Sequence, residues 1–254
     1  MARLLARSAA LLAVVTVLTA GSAPAVPPDA EVPFVRLHTE EGEILVALFP
    51  DLAPHHVRNF LHLAETGFYA GTVFHRIVPG FVIQGGDPNS KDRDPVNDGR
   101  GGPTLADVLA ESERDQLRSA GEILEARGYK GLDLDARANL KAEFSRTAKH
   151  LRGTLSMARS RDVDSAGSQF FVCVGRTAQL DGQYTIFGHV VTGMDVADRI
   201  VGAETGTGRD RERPLEPVQI DRCEVLTGVG SLGADEQQAY RDMVDRLAEE
   251  GSTW

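Results

Sequence analysis

Most of the chain is built from short apolar runs that alternate with polar positions and are separated by turn residues. VPFVRLHT and EILVALFP flank Glu40, Glu41, Gly42 and Glu43, a pattern that predicts a β-hairpin closed by a glycine-containing turn. TVFHRIVP and FVIQGG follow as two strands split by Pro79-Gly80, and TLSMAR, QFFVCVG, TIFGHVV and EPVQIDRCEVL continue the rhythm. Helical spacing interrupts it twice. Pro54 suits a first helical turn, with Val57, Phe60, Leu61 and Ala64 behind it and Gly67 as the stop, and a second short helix is predicted around Met194 to Val201. Many short strands with few helices predict a mainly β barrel or sandwich, not a strand–helix–strand sheet.

Three stretches break this pattern. Residues 104–140 turn charged and helical, with Leu105, Val108, Leu109, Leu117 and Leu124 as an imperfect apolar stripe and Thr104 with Asp107 as an N-terminal cap. This reads as a helical insertion lying on the β domain. Beyond the GVGSLG linker, the segment 227–254 holds an amphipathic helix from Asp235 to Glu250, with Tyr240, Met243, Val244 and Leu247 on one face. Docking on its own domain and binding a partner both fit that face. At the other end, Arg3 and Arg7, the apolar run Ala9 to Leu18, and Ala23-Pro24-Ala25 have the anatomy of a secretory signal peptide over 1–25, followed by a linker over 26–33. An exported protein of the periplasm, cell envelope or extracellular space is expected. The apolar run is shorter than a spanning helix requires, so no stable membrane insertion is expected.

Charge and cysteine content narrow the partners. The 254 residues carry a formal charge of -10, which becomes -12 once Arg3 and Arg7 are removed with the leader. So acidic a chain should repel nucleic acid and anionic membranes. Cys173 and Cys223 sit in apolar, strand-like contexts; two core thiols or one bridge are both compatible with export.

Several motifs fail on their spacing. Asp162-Val163-Asp164-Ser165-Ala166-Gly167 opens like a calcium loop, but Ala166 occupies a ligand position and Cys173 stands where the bidentate acid belongs. His55 and His56 point to different sides of a helix, and His62 and His75 complete no metal spacing, so no metal or other cofactor is expected. Gly167-Ser168-Gln169 lacks the nucleophile-elbow pattern, and Gly206-x-Gly208 lacks the dinucleotide fingerprint. One feature does ask for an explanation: FHRIVPGFVIQGGDP places Arg76 in a run that otherwise reads as buried strand. A buried unpaired guanidinium is expensive. Either Gln84 and its neighbours hold Arg76 structurally, or it stands at the edge of an apolar surface for a ligand.

FHRIVPGFVIQGGDP, then Gly99-Arg100-Gly101-Gly102, RGTLSMAR, GSQFFVCV and LDGQYTIFGHVVTGMDVADRI together resemble the cyclophilin family of peptidyl-prolyl cis-trans isomerases, from about Phe34 to Leu226 and in the family's order. The wording MAR and YTIFG is most similar to bacterial members. The resemblance implies a closed eight-stranded antiparallel β-barrel with a helix over each end, here one isomerase domain over 34–226. It implies a catalytic role for Arg76, with Phe81 and Gln84 beside it. It also implies that Phe81, Val82, Phe171 and Leu180 line a proline pocket, and that Gln169, Ala158 and the backbone of Arg159 hold an extended peptide. Gly99 falls in the flanking loop, Tyr184 on the rim, and His75 matches the motif as a packed side chain. The implied partners are proline-containing segments of folding proteins. Gln179 and Tyr184 stand where many eukaryotic members carry Trp and His, so weak cyclosporin binding is expected.

Overall fold

The computed structural model describes residues 31–92, 94–126 and 133–253; the expected signal peptide and most of its linker lie outside them. Eight strands form one antiparallel sheet: β1 Pro33–Thr39, β2 Gly42–Leu48, β3 Arg76–Val78, β4 Val82–Gly85, β5 Thr154–Met157, β6 Phe170–Cys173, β7 Ile186–Thr192 and β8 Ile220–Thr227. Their order is β3-β4-β6-β5-β7-β2-β1-β8. The sheet curls, yet it does not close as the expected barrel: β3 and β8, at its two ends, share no ladder. The seam is held by one isolated bridge, Val73 to Gln219, and by bonds such as Phe74 N–H to Val218 O (3.0 Å) and Ile220 N–H to Thr72 O (2.8 Å). Two features explain this. β3 is only three residues long, and Pro214 and Pro217, just ahead of β8, have no N–H with which to extend a ladder.

Five α-helices are described: α1 Pro54–Glu65, α2 Leu105–Val108, α3 Glu111–Ala126, α4 Met194–Val201 and α5 Ala234–Glu249. α1 starts on Pro54 and buries Val57, Phe60, Leu63 and Ala64 in the core. There the Phe60 ring meets Phe170 edge-on at 5.4 Å. α4 contributes Val196, Ala197 and Ile200 to the same core. Each of the larger side chains among these, removed from water, stabilises the fold by about 1.5–3 kcal/mol. α5 covers the outer face of the β1–β2 hairpin, placing Tyr240, Met243 and Leu247 with Phe34, Leu45 and Ala47. Arg36 of β1 ties it down through Glu236 at 2.6 Å.

The insertion departs from expectation. Thr104 N–H does donate to Asp107 at 2.7 Å, capping α2, and the Asp107 carbonyl lies 3.1 Å from His62 Nε2 of α1. In the described part of α3, however, no residue from 111 to 119 is buried, because charged side chains surround Leu117. Past the residues not described, the chain returns alongside its own departure, with Leu105 N–H on Ala136 O and Ala138 N–H on Pro103 O, both 2.9 Å. Cys173 is buried and Cys223 half-buried; both are free thiols, and burial pushes both up to about 12.

Candidate active site

The alternation of a strand places the site. Ile77, Ile83, Leu155 and Val172 point into the main core. Their neighbours in sequence point the other way, and there Val82, Phe171 and Cys173 form a separate small cluster against which Phe81, Ala158, Leu180 and Tyr184 pack. The β3–β4 hairpin turns at Pro79-Gly80, with Gly80 at φ 72°, a left-handed conformation that favours glycine. Its register sets Arg76 directly opposite Gln84, and the β4–β6 register sets Gln84 opposite Phe171. Directly opposed residues share a face. Guanidinium, amide and aromatic ring therefore stand in one row across three strands.

That row borders a cavity of about 280 Å³ lined by Arg76, Phe81, Val82, Gln84, Ala158, Arg159, Phe171, Leu180 and Tyr184. Its floor is rigid. Phe171 stacks on the buried His150 ring at 6.1 Å and meets Tyr184 edge-on at 5.7 Å. His150 is anchored to Ser156 Oγ and Asp181, each at 3.1 Å, and burial holds its pKa below the usual histidine value. The polar rim is a chain of hydrogen bonds. Arg76 Nη1 donates to Gln84 Oε1 at 3.4 Å, Gln84 Nε2 to Gln169 Oε1 at 3.0 Å, and Gln169 Nε2 to Gly101 O at 2.9 Å. This order fixes which way each amide faces.

Arg76 also has a partner that sequence reading did not supply. Its Nε donates to Glu212 at 2.7 Å, and the Glu212 carbonyl accepts Ile77 N–H at 2.8 Å, which stitches the 205–214 loop to β3. The guanidinium is thus paired, yet it stays about a third exposed and borders the cavity. Of its five N–H donors, one serves Glu212 and one Gln84; the others have no acceptor among the described residues. Glu212 lies in a polar loop without periodicity, far from Arg76 in sequence, and no local signal marked it.

Four candidates sit elsewhere or act otherwise. His75 is buried and faces a separate cavity with Ser90, Asp98 and Arg213, away from the Arg76 row. Gly99 and Gln169 line a second cavity, which adjoins the first across Gln84, Ala158 and Arg159. Arg159 contributes more than backbone: its guanidinium lies 4.5 Å from the Tyr184 ring centre and donates to Gln183 O at 3.1 and 3.0 Å. Among the described residues no cluster of His, Cys, Asp or Glu could hold a metal, and no helix is long and apolar enough to cross a membrane.

The chain matches the family described as "Cyclophilin type peptidyl-prolyl cis-trans isomerase/CLD" over residues 34–225. It is 34% identical over 192 residues to the Arabidopsis thaliana peptidyl-prolyl cis-trans isomerase CYP18-1, covering 75% of this chain and 94% of that one. It is 34% identical over 201 residues to peptidyl-prolyl cis-trans isomerase A of Dickeya dadantii, covering 76% and 84%. The Neurospora crassa peptidyl-prolyl isomerase cwc-27 is 38% identical over 197 residues, 75% of this chain but only 33% of that longer protein. A crystal structure of a Cryptosporidium parvum cyclophilin type isomerase superposes with a TM-score of 0.58 at 26% identity, covering 78% of this chain and 99% of the other. The chain belongs to the cyclophilin-type peptidyl-prolyl cis-trans isomerase family. Bacterial relatives are not set apart, since fungal and plant isomerases match comparably.

Proposed function

We propose that the chain is a working proline isomerase, that Arg76 is its catalytic residue, and that it acts on exported proteins. The X–Pro bond has a rotation barrier of roughly 18–20 kcal/mol although its two isomers differ by only about 0.5–1 kcal/mol. A catalyst therefore needs only to favour the twisted state. Twisting ends amide resonance and leaves a lone pair on the prolyl nitrogen. In this reading the proline ring occupies the socket of Phe81, Val82, Phe171 and Leu180, and the unassigned Arg76 donors meet that lone pair. They have little to bind in the planar ground state. Gln84 holds the guanidinium and reaches the substrate carbonyl, and the apolar walls disfavour the charge-separated planar amide.

The observation that carries this is the single row Arg76–Gln84–Phe171, set by strand register, with the guanidinium at the mouth of an aromatic cavity. The export reading is carried by the leader-like Arg3, Arg7 and Ala9 to Leu18. A second reading, a module that holds proline segments without turnover, draws on the Glu212 carboxylate, which offsets the charge of Arg76. A protease-coupled assay on an Ala-Pro peptide separates the two. Turnover is expected well above background, and Arg76→Ala should lower it roughly 10²- to 10³-fold, the usual loss for one preorganised donor. Wild-type rates at background would favour the binding module.

A further inference from the structure

The cavity beyond Gln84 measures about 400 Å³, and its charged lining is of one sign: Arg100, Arg137 and Arg159, with no carboxylate. This runs against the composition, since the chain has 37 acidic residues and 27 Lys and Arg. None of the three has a carboxylate within 4.0 Å among the described residues. The one buried acid nearby, Asp87, is turned under the loop, where it accepts Asn89 N–H at 2.9 Å and Gly101 N–H at 3.1 Å.

Two of the three guanidinium groups are held in place. Arg137 comes from the return strand of the insertion, bridged to Thr104, and donates to Arg100 O at 2.9 Å. A side chain at position 102 would sit 2.6 Å from Arg137 Nη1, so Gly102 leaves room for this group where it lies. Arg159 is pinned by Gln183 O and Ser160 O. These bonds use only part of each fork, and a planar fork suits a carboxylate through two parallel hydrogen bonds.

We propose that this cavity takes the carboxylate of an Asp or Glu side chain lying a few residues before the proline of the substrate. The proposal rests on the isomerase reading, because a proline in the socket sets the register. With its imide nitrogen at Arg76 and Gln84, the residue bonded to that nitrogen crosses Gln84, and those ahead of it reach the arginines. At about 3.3 Å per extended residue, the acid falls roughly two to four positions before the proline.

The test uses peptides with one Ala-Pro bond and Glu, Gln or Lys at each of those positions. Both kcat/KM and calorimetric affinity are measured at low and high salt. Glu should exceed Gln by roughly 3- to 30-fold at one or more positions, Lys should fall below Gln, and the difference should shrink as salt rises. The double variant Arg100→Gln, Arg137→Gln, which leaves Arg159, should lower the Glu-to-Gln ratio toward one. Equal handling of Glu and Gln at every position, or a ratio unchanged in the double variant, overturns the proposal. The Gln peptides report separately on the isomerase: if they too turn over only at background, that reading fails, and calorimetric affinity still decides the charge preference.

Discussion

Replacing Glu212 by Ala and by Gln shows whether that carboxylate steadies Arg76 or blunts it. The pair is short, 2.7 Å from Nε to oxygen, but its side chains are 35% and 39% exposed, so solvent screens it. Pairs of this kind are worth about 0.2–1 kcal/mol. With a factor of ten in rate for about 1.4 kcal/mol, losing the brace should lower kcat at most about five-fold. That is far less than removing Arg76 itself. Alanine deletes the acceptor, whereas glutamine keeps an oxygen for Nε–H and deletes only the charge. Glu212→Ala should therefore fall two- to five-fold in kcat with KM little changed, and Glu212→Gln should stay within about two-fold of wild type. The backbone bond from Ile77 is untouched by either change, so urea midpoints should agree to within about 0.5 kcal/mol. The assay is protease-coupled isomerisation at low salt. An alanine variant as fast as wild type would refute the bracing role, and a faster one would show that the carboxylate holds the arginine back.

Three further outcomes follow from the packing and the site. Burial holds the His189 imidazole down to about 4 from an ordinary 6.5. Between those values the unfolded chain binds the proton and the folded chain does not, so stability should fall by roughly 3 kcal/mol as pH drops from about 6.5 to about 4. Urea titrations across that range should show the fall, and His189→Leu should flatten part of it. Leu247→Ala on α5 empties a fully packed position and should destabilise the fold by about 2–5 kcal/mol in chemical denaturation without changing isomerase KM. Cyclosporin A should inhibit only weakly, because Gln179 stands where many eukaryotic members carry Trp and Tyr184 is covered by Arg159; submicromolar inhibition in the same assay would contradict this.

What could be read from the sequence was what repeats locally. The alternation in TVFHRIVP and FVIQGG, with Pro79-Gly80 between, is enough to set Arg76 across from Gln84, and Val57, Phe60 and Ala64 mark α1. Long-range partners without a pattern could not be read. Glu212 reaches Arg76 from a loop whose position depends on how β8 begins, and Arg137 reaches the second cavity only because the insertion folds back on Pro103. The open seam was missed for a related reason: hydrophobic alternation says which residues face inward but not whether the first and last strands find each other. Leu117 suggested an apolar stripe, yet Glu111, Glu113, Arg114, Asp115 and Arg118 outnumber it on α3.

The two faces of β3, β4 and β6 serve different masters through odd and even positions of the same backbone. Residues 77, 83 and 172 fill the core; 76, 82, 84 and 171 line the cavity. The cavity set is therefore open to rewriting one side chain at a time with the core composition left intact. Length is not open in the same way. A single residue gained or lost within Val82–Gln84 would trade the two sets, carrying an amide into oil and an isoleucine into the cavity.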